Sequence, residues 1–576
     1  MGLCLCKRKR TNSGSSTISV HASSLRPIPG GVRQRSSNDC ESIHSQLSSP
    51  FSYGDDRSAM SLAIVVKELI QQILQLIRTL VSNEQEPPMP LLKLNLIADK
   101  EGGWVLVVIC LIEAVPGEDA LGPAVITLFL DEGPLPTKET VTRLVSRLRL
   151  DEAGNLQLSP VLHRNICIVL GCLAEKLAGA SSVHICTNTA LNYIFDNLKP
   201  DRDTEVIMYA LIALEKFAQT SENRLTICRR LEKYNENPLM VRPIHVLERW
   251  LDHSESKNDF LKQQVAFCAQ WSLDNIFVHE KREFSYLKCD VSNIGAMLNH
   301  EDVSEYLKIA SNGLEARCDV SSFESVRCTF EAIEGIWFYE ALILTPGVMQ
   351  IGFATKQSRF SNHEGFGIGD DDCSIAYDGC RQLIWYNAQC QKHEHDPWKA
   401  GDYLGCLLNI SDGYVQFYLN GRGLEVPNRD FIRAQLSNKE TIGFFAAASF
   451  MSFQQCRFNF GNEPFKYPPP SVNFKTFNEY GSLSEEQKTI LPRRRKMELL
   501  SQVSIPDDSC HICYGHAVDT ILEPCGHSGI CLVCSQQLEL CPLCRVPIIQ
   551  RSPIPKRISI SERKSTFINK RLGTLV

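Results

Sequence analysis

The chain has 576 residues, enough for three or four domains of ordinary size. Its hydrophobic fraction of 43% is that of a globular protein, and a formal charge of −6 argues against bulk nucleic-acid binding. Its 24 cysteines would suit a secreted disulfide scaffold, but seven fall near the carboxy terminus at metal-ligand spacing and many others stand singly in apolar runs, as Cys110 does. That distribution points to a reducing, intracellular compartment. The apolar run 105–112 is too short to span a membrane, and no apolar core follows the first charges, so neither a spanning helix nor a secretory leader is expected.

The chain opens Met1-Gly-Leu-Cys-Leu-Cys-Lys-Arg-Lys-Arg10. Gly2 is placed for myristoylation and Cys4 and Cys6 for palmitoylation, although Cys6 stands where the acylation motif has Ser or Thr. One acyl chain binds membrane at only about 10⁴ M⁻¹, so a second chain or the basic run 7–10 against anionic lipid is needed as well. The expectation is a cytoplasmic protein with a possible membrane-surface attachment at its amino terminus; a plain tail or a nuclear-import run is the alternative. Residues 1–57 are otherwise rich in Ser, Pro and Gly, with too little apolar surface to offset chain entropy, and read as a disordered tail.

Helical periodicity takes over in residues 58–299. Leu62, Val65, Val66, Leu69, Ile70, Ile73, Leu74 and Ile77 trace one stripe. Three similar helices follow, around Val169–Leu177, Ala210–Phe217 and Ala269–Phe277. The first two align with Glu175 over Glu215, a 40-residue offset that fits an armadillo or HEAT-like α-helical array; the third fits only with an inserted loop. Such an array binds proteins or acts as a spacer. Nothing in it suggests chemistry.

Residues 300–470 change to short aromatic and aliphatic strands separated by Gly-rich turns, with Asn420-Gly421 as a hairpin turn, which argues for a β-sandwich. Six blocks occur in order: Gly335-Ile-Trp-Phe-Tyr-Glu340, Gln350-Ile-Gly-Phe-Ala-Thr355, Ala376-Tyr-Asp-Gly379, Trp398-Lys-Ala-Gly-Asp402, Phe417-Tyr-Leu-Asn-Gly421, and Asn459-Phe-Gly461 with Pro464-Phe465. Together they resemble a SPRY (B30.2-like) domain. Asn409 departs from the acidic residue usual in that family, which puts one local hydrogen bond in question. The resemblance implies a non-catalytic, partner-binding module. Tyr377, Asp378, Arg381, Trp385 and Tyr386 crowd one stretch with the aromatic and Arg anchors of binding hot spots, and form the candidate peptide surface. The run Gly365-Phe-Gly-Ile-Gly369 lacks phosphate-loop spacing and reads as a turn.

Residues 471–504 form a connector: Ser484-Glu-Glu-Gln487 is a capping box, and Pro492 opens a helix carrying the basic run 493–496. In residues 505–550 come Cys510-His-Ile-Cys513, Cys525-Gly-His527, Cys531-Leu-Val-Cys534 and Cys541-Pro-Leu-Cys544. Zinc takes four N/S ligands in a tetrahedron, and four pairs supply two closed structural sites. So short a segment buries little core and draws its folding free energy from metal, on the order of 10–16 kcal/mol per site. Residues 551–576 are a basic tail, expected to be disordered.

The spacing of the pairs, with Cys-x-His second, resembles the C3HC4 RING finger of ubiquitin ligases. That resemblance implies interleaved sites: Cys510, Cys513, Cys531 and Cys534 on one Zn²⁺, and Cys525, His527, Cys541 and Cys544 on the other. It also implies that Ile512, Pro542 and Leu543 line an apolar groove for an E2 ubiquitin-conjugating enzyme, and that Arg545 bridges E2 and ubiquitin. With helices, SPRY domain and RING in one chain, the whole is similar to the RING-type E3 ubiquitin ligases that recruit a protein substrate through a SPRY domain. The alternative is a non-catalytic adaptor with a purely structural zinc finger. No nucleic-acid partner is expected.

Overall fold

The structure, a computed structural model, describes residues 57–79, 88–150, 158–177, 179–234, 247–255, 258–279, 282–360, 365–425, 427–437, 442–502, 508–513, 516–536 and 538–554. Gly2, Cys4 and Cys6, and most of the basic tail, lie outside them. The chain divides into two compact units, Met1–Pro492 and Arg493–Val576.

The first unit begins with helices α1 (Arg57–Thr79), α2 (Met89–Ala98), α3 (Gly103–Ala114), α4 (Gly122–Glu132), α5 (Lys138–Arg147) and α6 (Pro160–Lys176). They are followed by α7 (Ala180–Ile185), α8 (Asn188–Asp196), α9 (Thr204–Phe217), α10 (Ser221–Tyr234) and α11 (Phe260–Asn275). Several starts are dictated locally. Thr137, Ser159, Thr187, Asp203 and Asp259 each accept a backbone N–H of the first turn of their helix. The stripe on α1 is buried at Val66, Leu69, Ile70, Ile73, Leu74 and Ile77, while Val65 falls off it and is exposed. By length and composition α1 would also suffice to cross a membrane, which the short apolar run 105–112 did not suggest. α6 and α9 pack closely because Gly171 brings the two backbones together at Ala213. The all-helical character expected for this region is present. An armadillo array is not established: such arrays repeat equal units, whereas these helices run from 6 to 23 residues.

The strands that follow build a sandwich of two antiparallel sheets. β1 (Leu298–Val303), β2 (Lys308–Ile309), β3 (Glu315–Arg317), β4 (Glu324–Cys328), β5 (Ile336–Ile343), β6 (Met349–Ala354), β7 (Ser374–Asp378), β8 (Leu383–Tyr386) and β9 (Gln389–Lys392) come first. Then come β10 (Tyr403–Asn409), β11 (Tyr414–Leu419), β12 (Arg422–Gly423), β13 (Phe445–Phe450), β14 (Gln455–Asn459) and β15 (Lys475–Thr476). One sheet is ordered β1-β4-β13-β6-β7-β8-β9 and the other β12-β11-β10-β5-β14-β3-β2, with β15 pairing β5 in parallel. Asn420 (φ 50°) and Gly421 (φ 81°) close the β11–β12 hairpin as their tolerance of positive φ requires. Asn409 keeps its local bonds: its Oδ1 accepts from Asp412 N at 2.8 Å, and its Nδ2 donates to Asp412 Oδ2 at 2.9 Å.

Strand periodicity puts Met349, Ile351 and Phe353 of β6 into the sandwich core and Gln350, Gly352 and Ala354 on the outer face. That outer face is nevertheless buried, because helices cover it. Ala354, Ala376, Leu383, Trp385, Ala447, Met451 and Phe453 join the same apolar cluster as the helical core. Phe453 meets Tyr209 edge-on at 5.1 Å.

A buried polar network crosses the same boundary. Lys308 Nζ donates to Glu215 on α9 (2.6 Å) and to Asp319 (2.8 Å), and Arg317 binds Asp319 at 2.8 Å. Arg317 Nη1 also donates to Gln264 on α11 and to Gln455 on β14. Burial pushes the Asp319 carboxyl up, but Arg317 and Lys308 outweigh it and hold it down to about 2; the same burial, with the Asp319 charge beside it, raises Glu215 against the pull of Lys308. The helices therefore share an apolar cluster with the outer face of the sheet, and an ion network with the sandwich, while the sandwich interior keeps a core of its own.

Asp319→Ala should leave Lys308 and Arg317 buried without their common carboxylate and lower stability by about 3–5 kcal/mol. Lys199→Ala, on the exposed pair with Asp196, should cost less than about 0.5 kcal/mol. Denaturant unfolding checks both, and equal small losses would show that the network does not join the two parts.

Candidate metal centre

The second unit starts with the helix α15 predicted from Pro492. Its range is Arg493–Gln502, after the short helices α12 (Asp430–Leu436), α13 (Phe477–Tyr480) and α14 (Glu485–Lys488) of the first unit. α14 opens with the expected capping box, Ser484 and Gln487 satisfying each other's backbone N–H. Beyond lie β16 (Thr520–Glu523), β17 (His527–Ile530), α16 (Leu532–Gln536) and β18 (Gln550–Pro553), with sheet order β17-β16-β18. The apolar core is small: Leu522 and Ile530 are buried beside Cys510, Cys531 and Cys541. Two aliphatic side chains cannot offset the ordering of this much chain. The rest must come from ligation.

The eight expected ligands gather in two groups, Cys510, Cys513, Cys531, Cys534 and Cys525, His527, Cys541, Cys544, each with all its donor atoms within 4.8 Å of one another. The pairs are thus interleaved along the chain. Two thiolates at about 2.3 Å from one tetrahedral ion stand about 3.8 Å apart. Cys513 Sγ and Cys531 Sγ are 3.8 Å apart, and Cys541 Sγ lies 3.6 Å from His527 Nδ1. Both tetrads fit Zn²⁺ by donor set and by spacing.

Local backbone chemistry builds each corner. Gly526 adopts φ 71°, a left-handed bend that lets Cys525 and His527 converge, and Gly529 (φ 108°) leaves no room for a Cβ against the His511 ring. Cys510 N donates to His516 O (2.7 Å) and Cys541 N to Val546 O (2.9 Å), turning each Cys-x2-Cys run back on itself. Arg545 N donates to Cys541 O (2.7 Å) with φ 61°, rare for a side-chain-bearing residue. Asp519 Oδ1 accepts Leu532 N (2.6 Å) where α16 begins.

These turns leave Ile512 (46%), Leu543 (61%), Pro542 and Arg545 exposed. Leu532 and Val533, between the ligands of the third pair, are exposed as well. Sequence reasoning passed over them, although they carry the same signal as Ile512: an apolar residue inside a Cys-x2-Cys pair.

The candidate peptide surface is corrected by the structure. Tyr377 lies in the sandwich core, stacked on His393 at 4.4 Å and hydrogen-bonded to His395 Nδ1 at 3.1 Å. Burial pushes the His393 imidazole down to about 4. Asp378 is buried in an ion pair with Arg381, whose guanidinium caps the Trp385 ring. Trp385 is 1% exposed beneath the helical cover, and Tyr386 meets Phe431 edge-on. The five residues are divided between the two faces of one sheet and make no open loop. Gly365 and Gly369 have positive φ in a turn.

Metal analysis of the full chain should find two zinc equivalents. A chelator should make residues 508–554 protease-sensitive while the melting transition of the first unit persists. One equivalent, or a chelator-resistant second unit, would contradict the interleaved tetrads.

Comparison with known proteins agrees with both folds. A family model for the SPRY domain matches residues 336–463, and one for the C3HC4-type zinc finger (RING finger) matches residues 506–551. E3 ubiquitin-protein ligase RKP of Arabidopsis thaliana is 33% identical over 146 residues, which are 25% of this chain and 11% of that protein. Among solved structures, the SPRY domain of human HERC1 is 12% identical and covers 28% of this chain and 96% of its own, with a TM-score of 0.24. The TRIM65 PSpry domain is 13% identical and covers 29% and 89%, with a TM-score of 0.24. The chain carries a SPRY domain and, in its second unit, a RING finger of the C3HC4 type.

Proposed function

We propose that this chain is a RING-type E3 ubiquitin ligase, docking an E2–ubiquitin thioester on its RING and recruiting a protein substrate through the SPRY-containing unit. The observation that carries the reading is the exposure of Ile512 and of Pro542-Leu543 on loops of the two different metal tetrads, with Arg545 directly after the last ligand. A unit this short of core would bury those side chains if it served only itself. An apolar surface held in place by ligation is suited to a partner instead. The SPRY and RING matches and the ligase-named relative support the same reading.

The zinc ions supply structure: each pins two distant chain segments and engages the thiolates as ligands. The RING cysteines are therefore no nucleophiles. The reaction is attack of a substrate lysine amine on the carbonyl carbon of the E2–ubiquitin thioester. The C–N bond forms, the C–S bond breaks, the electron pair leaves on the E2 sulfur, and the proton lost by the amine passes to that thiolate or to water. No side chain of this unit supplies the acid or base. Its contribution is to reduce the conformations open to ubiquitin, so that the thioester stays presented to the amine. Arg545, with a planar five-donor guanidinium, is suited to bridge carbonyls of E2 and ubiquitin at once.

Ile512→Ala should weaken E2 binding by about tenfold, the loss of one buried anchor. Arg545→Ala should leave E2 affinity nearly unchanged and slow ubiquitin discharge by about tenfold, the loss of orientation alone. Neither should release zinc. If both variants match wild type across a panel of E2 enzymes, the adaptor reading replaces this one.

A further inference from the structure

The outer face of the α1–α2 pair is built as an interface. α2, Met-Pro-Leu-Leu-Lys-Leu-Asn-Leu-Ile-Ala, has only Lys93 and Asn95 as polar residues. Leu91, Leu94 and Ala98 face inward and are buried, yet Met89, Leu92 and Leu96 on the other side are exposed, Leu96 at 66%. A helix that is apolar on every side belongs inside a protein, and this one lies at a surface. α1 extends the same face with exposed Met60, Ile64 and Val65. Between the two helices runs an open groove of about 420 Å³, lined by Val65, Glu68, Leu69, Gln72, Lys93 and Leu96 among others.

We propose that this groove is the interface between two copies of the chain, related by a two-fold axis running along it between α1 and α2. The charges favour a second copy over an unrelated partner. Lys67 is taken by Glu113 at 2.7 Å and Gln71 by the Ala114 carbonyl at 2.9 Å. Glu68 on the α1 wall and Lys93 on the α2 wall enter no ion pair among the described residues. A two-fold axis along the groove lays α2 of one copy over α1 of the other. Each Glu68 then meets the other copy's Lys93, and the pairing occurs twice. The same operation stacks the apolar stripes of the two helix pairs into a four-helix layer. A groove carrying one unpaired acid and one unpaired base on opposite walls is complementary to itself. The consequence is an avidity effect, two SPRY-containing units in one particle able to engage a repetitive or dimeric substrate together.

Sedimentation equilibrium of the full chain at micromolar concentration tests this. Wild type should sediment at twice the 64.8 kDa chain mass. Leu96→Glu, at an exposed position, should sediment as a monomer with an unchanged melting temperature. Glu68→Lys and Lys93→Glu should each weaken dimerisation by about tenfold or more, and the two reversals together should restore it. A monomeric wild type overturns the proposal. If such a monomer binds anionic vesicles, or if deleting residues 1–56 exposes the groove to labelling, the occupant is a membrane surface or the chain's own amino-terminal segment instead. A dimer insensitive to Leu96→Glu, or a double reversal that fails to recover, also overturns it.

Discussion

Interleaved ligation is the constraint on which the functional end of this molecule depends. Because the first and third pairs share one tetrad and the second and fourth share the other, neither site can be completed by a contiguous stretch of chain. Each ion ties together segments separated by a loop that belongs to its neighbour. With Leu522 and Ile530 as the fully buried aliphatic core among the described residues, the relative positions of Ile512, Pro542 and Arg545 are set by metal geometry more than by side-chain packing. A fold so specified can leave apolar residues in water without collapsing around them.

The first unit solves a different problem. A sandwich sheet ordinarily spends one face on its core and leaves the other in water, and here both faces of one sheet are buried. Gly352, Ala354, Ala376 and Ala447 give the outer face a flat floor of small residues. Helices lie against it, and Lys308, Asp319, Arg317 and Glu215 stitch the contact. Buried ion networks of this kind add less to stability than to the uniqueness of the arrangement, since any displacement leaves a charge uncompensated. The helical region and the SPRY sandwich therefore belong to one compact unit, with the outer face of one sheet closed off by helices.

What the sequence made legible follows the range of the physics involved. Ligand pairs, the Asn420-Gly421 turn and the capping box at Ser484 are decided by a few covalently neighbouring residues, and all three stand as read. The order of the six strand blocks was equally readable, because each marks a local turn or strand of the sandwich. Arg381 and Trp385 were misread because their composition resembles a hot spot, while their burial is decided by helices hundreds of residues earlier in the chain. The pairing of Lys308 with Glu215 was invisible for the same reason: 93 residues separate the partners. Val65 left its stripe because an eight-residue hydrophobic pattern is wider than the face α1 buries. The helical repeat was inferred from two similar helices, and similarity between helices does not specify how they stack.

Whether the RING orients a thioester that it never touches covalently can be read by following one turnover of a preformed E2–ubiquitin thioester with the full chain and free lysine. Resolved without reductant, ubiquitin should pass from E2 to lysine faster than with E2 alone, and no thiol-sensitive ubiquitin adduct should form on this chain. A transient adduct on the chain, or no acceleration with any E2 of a broad panel, would contradict it.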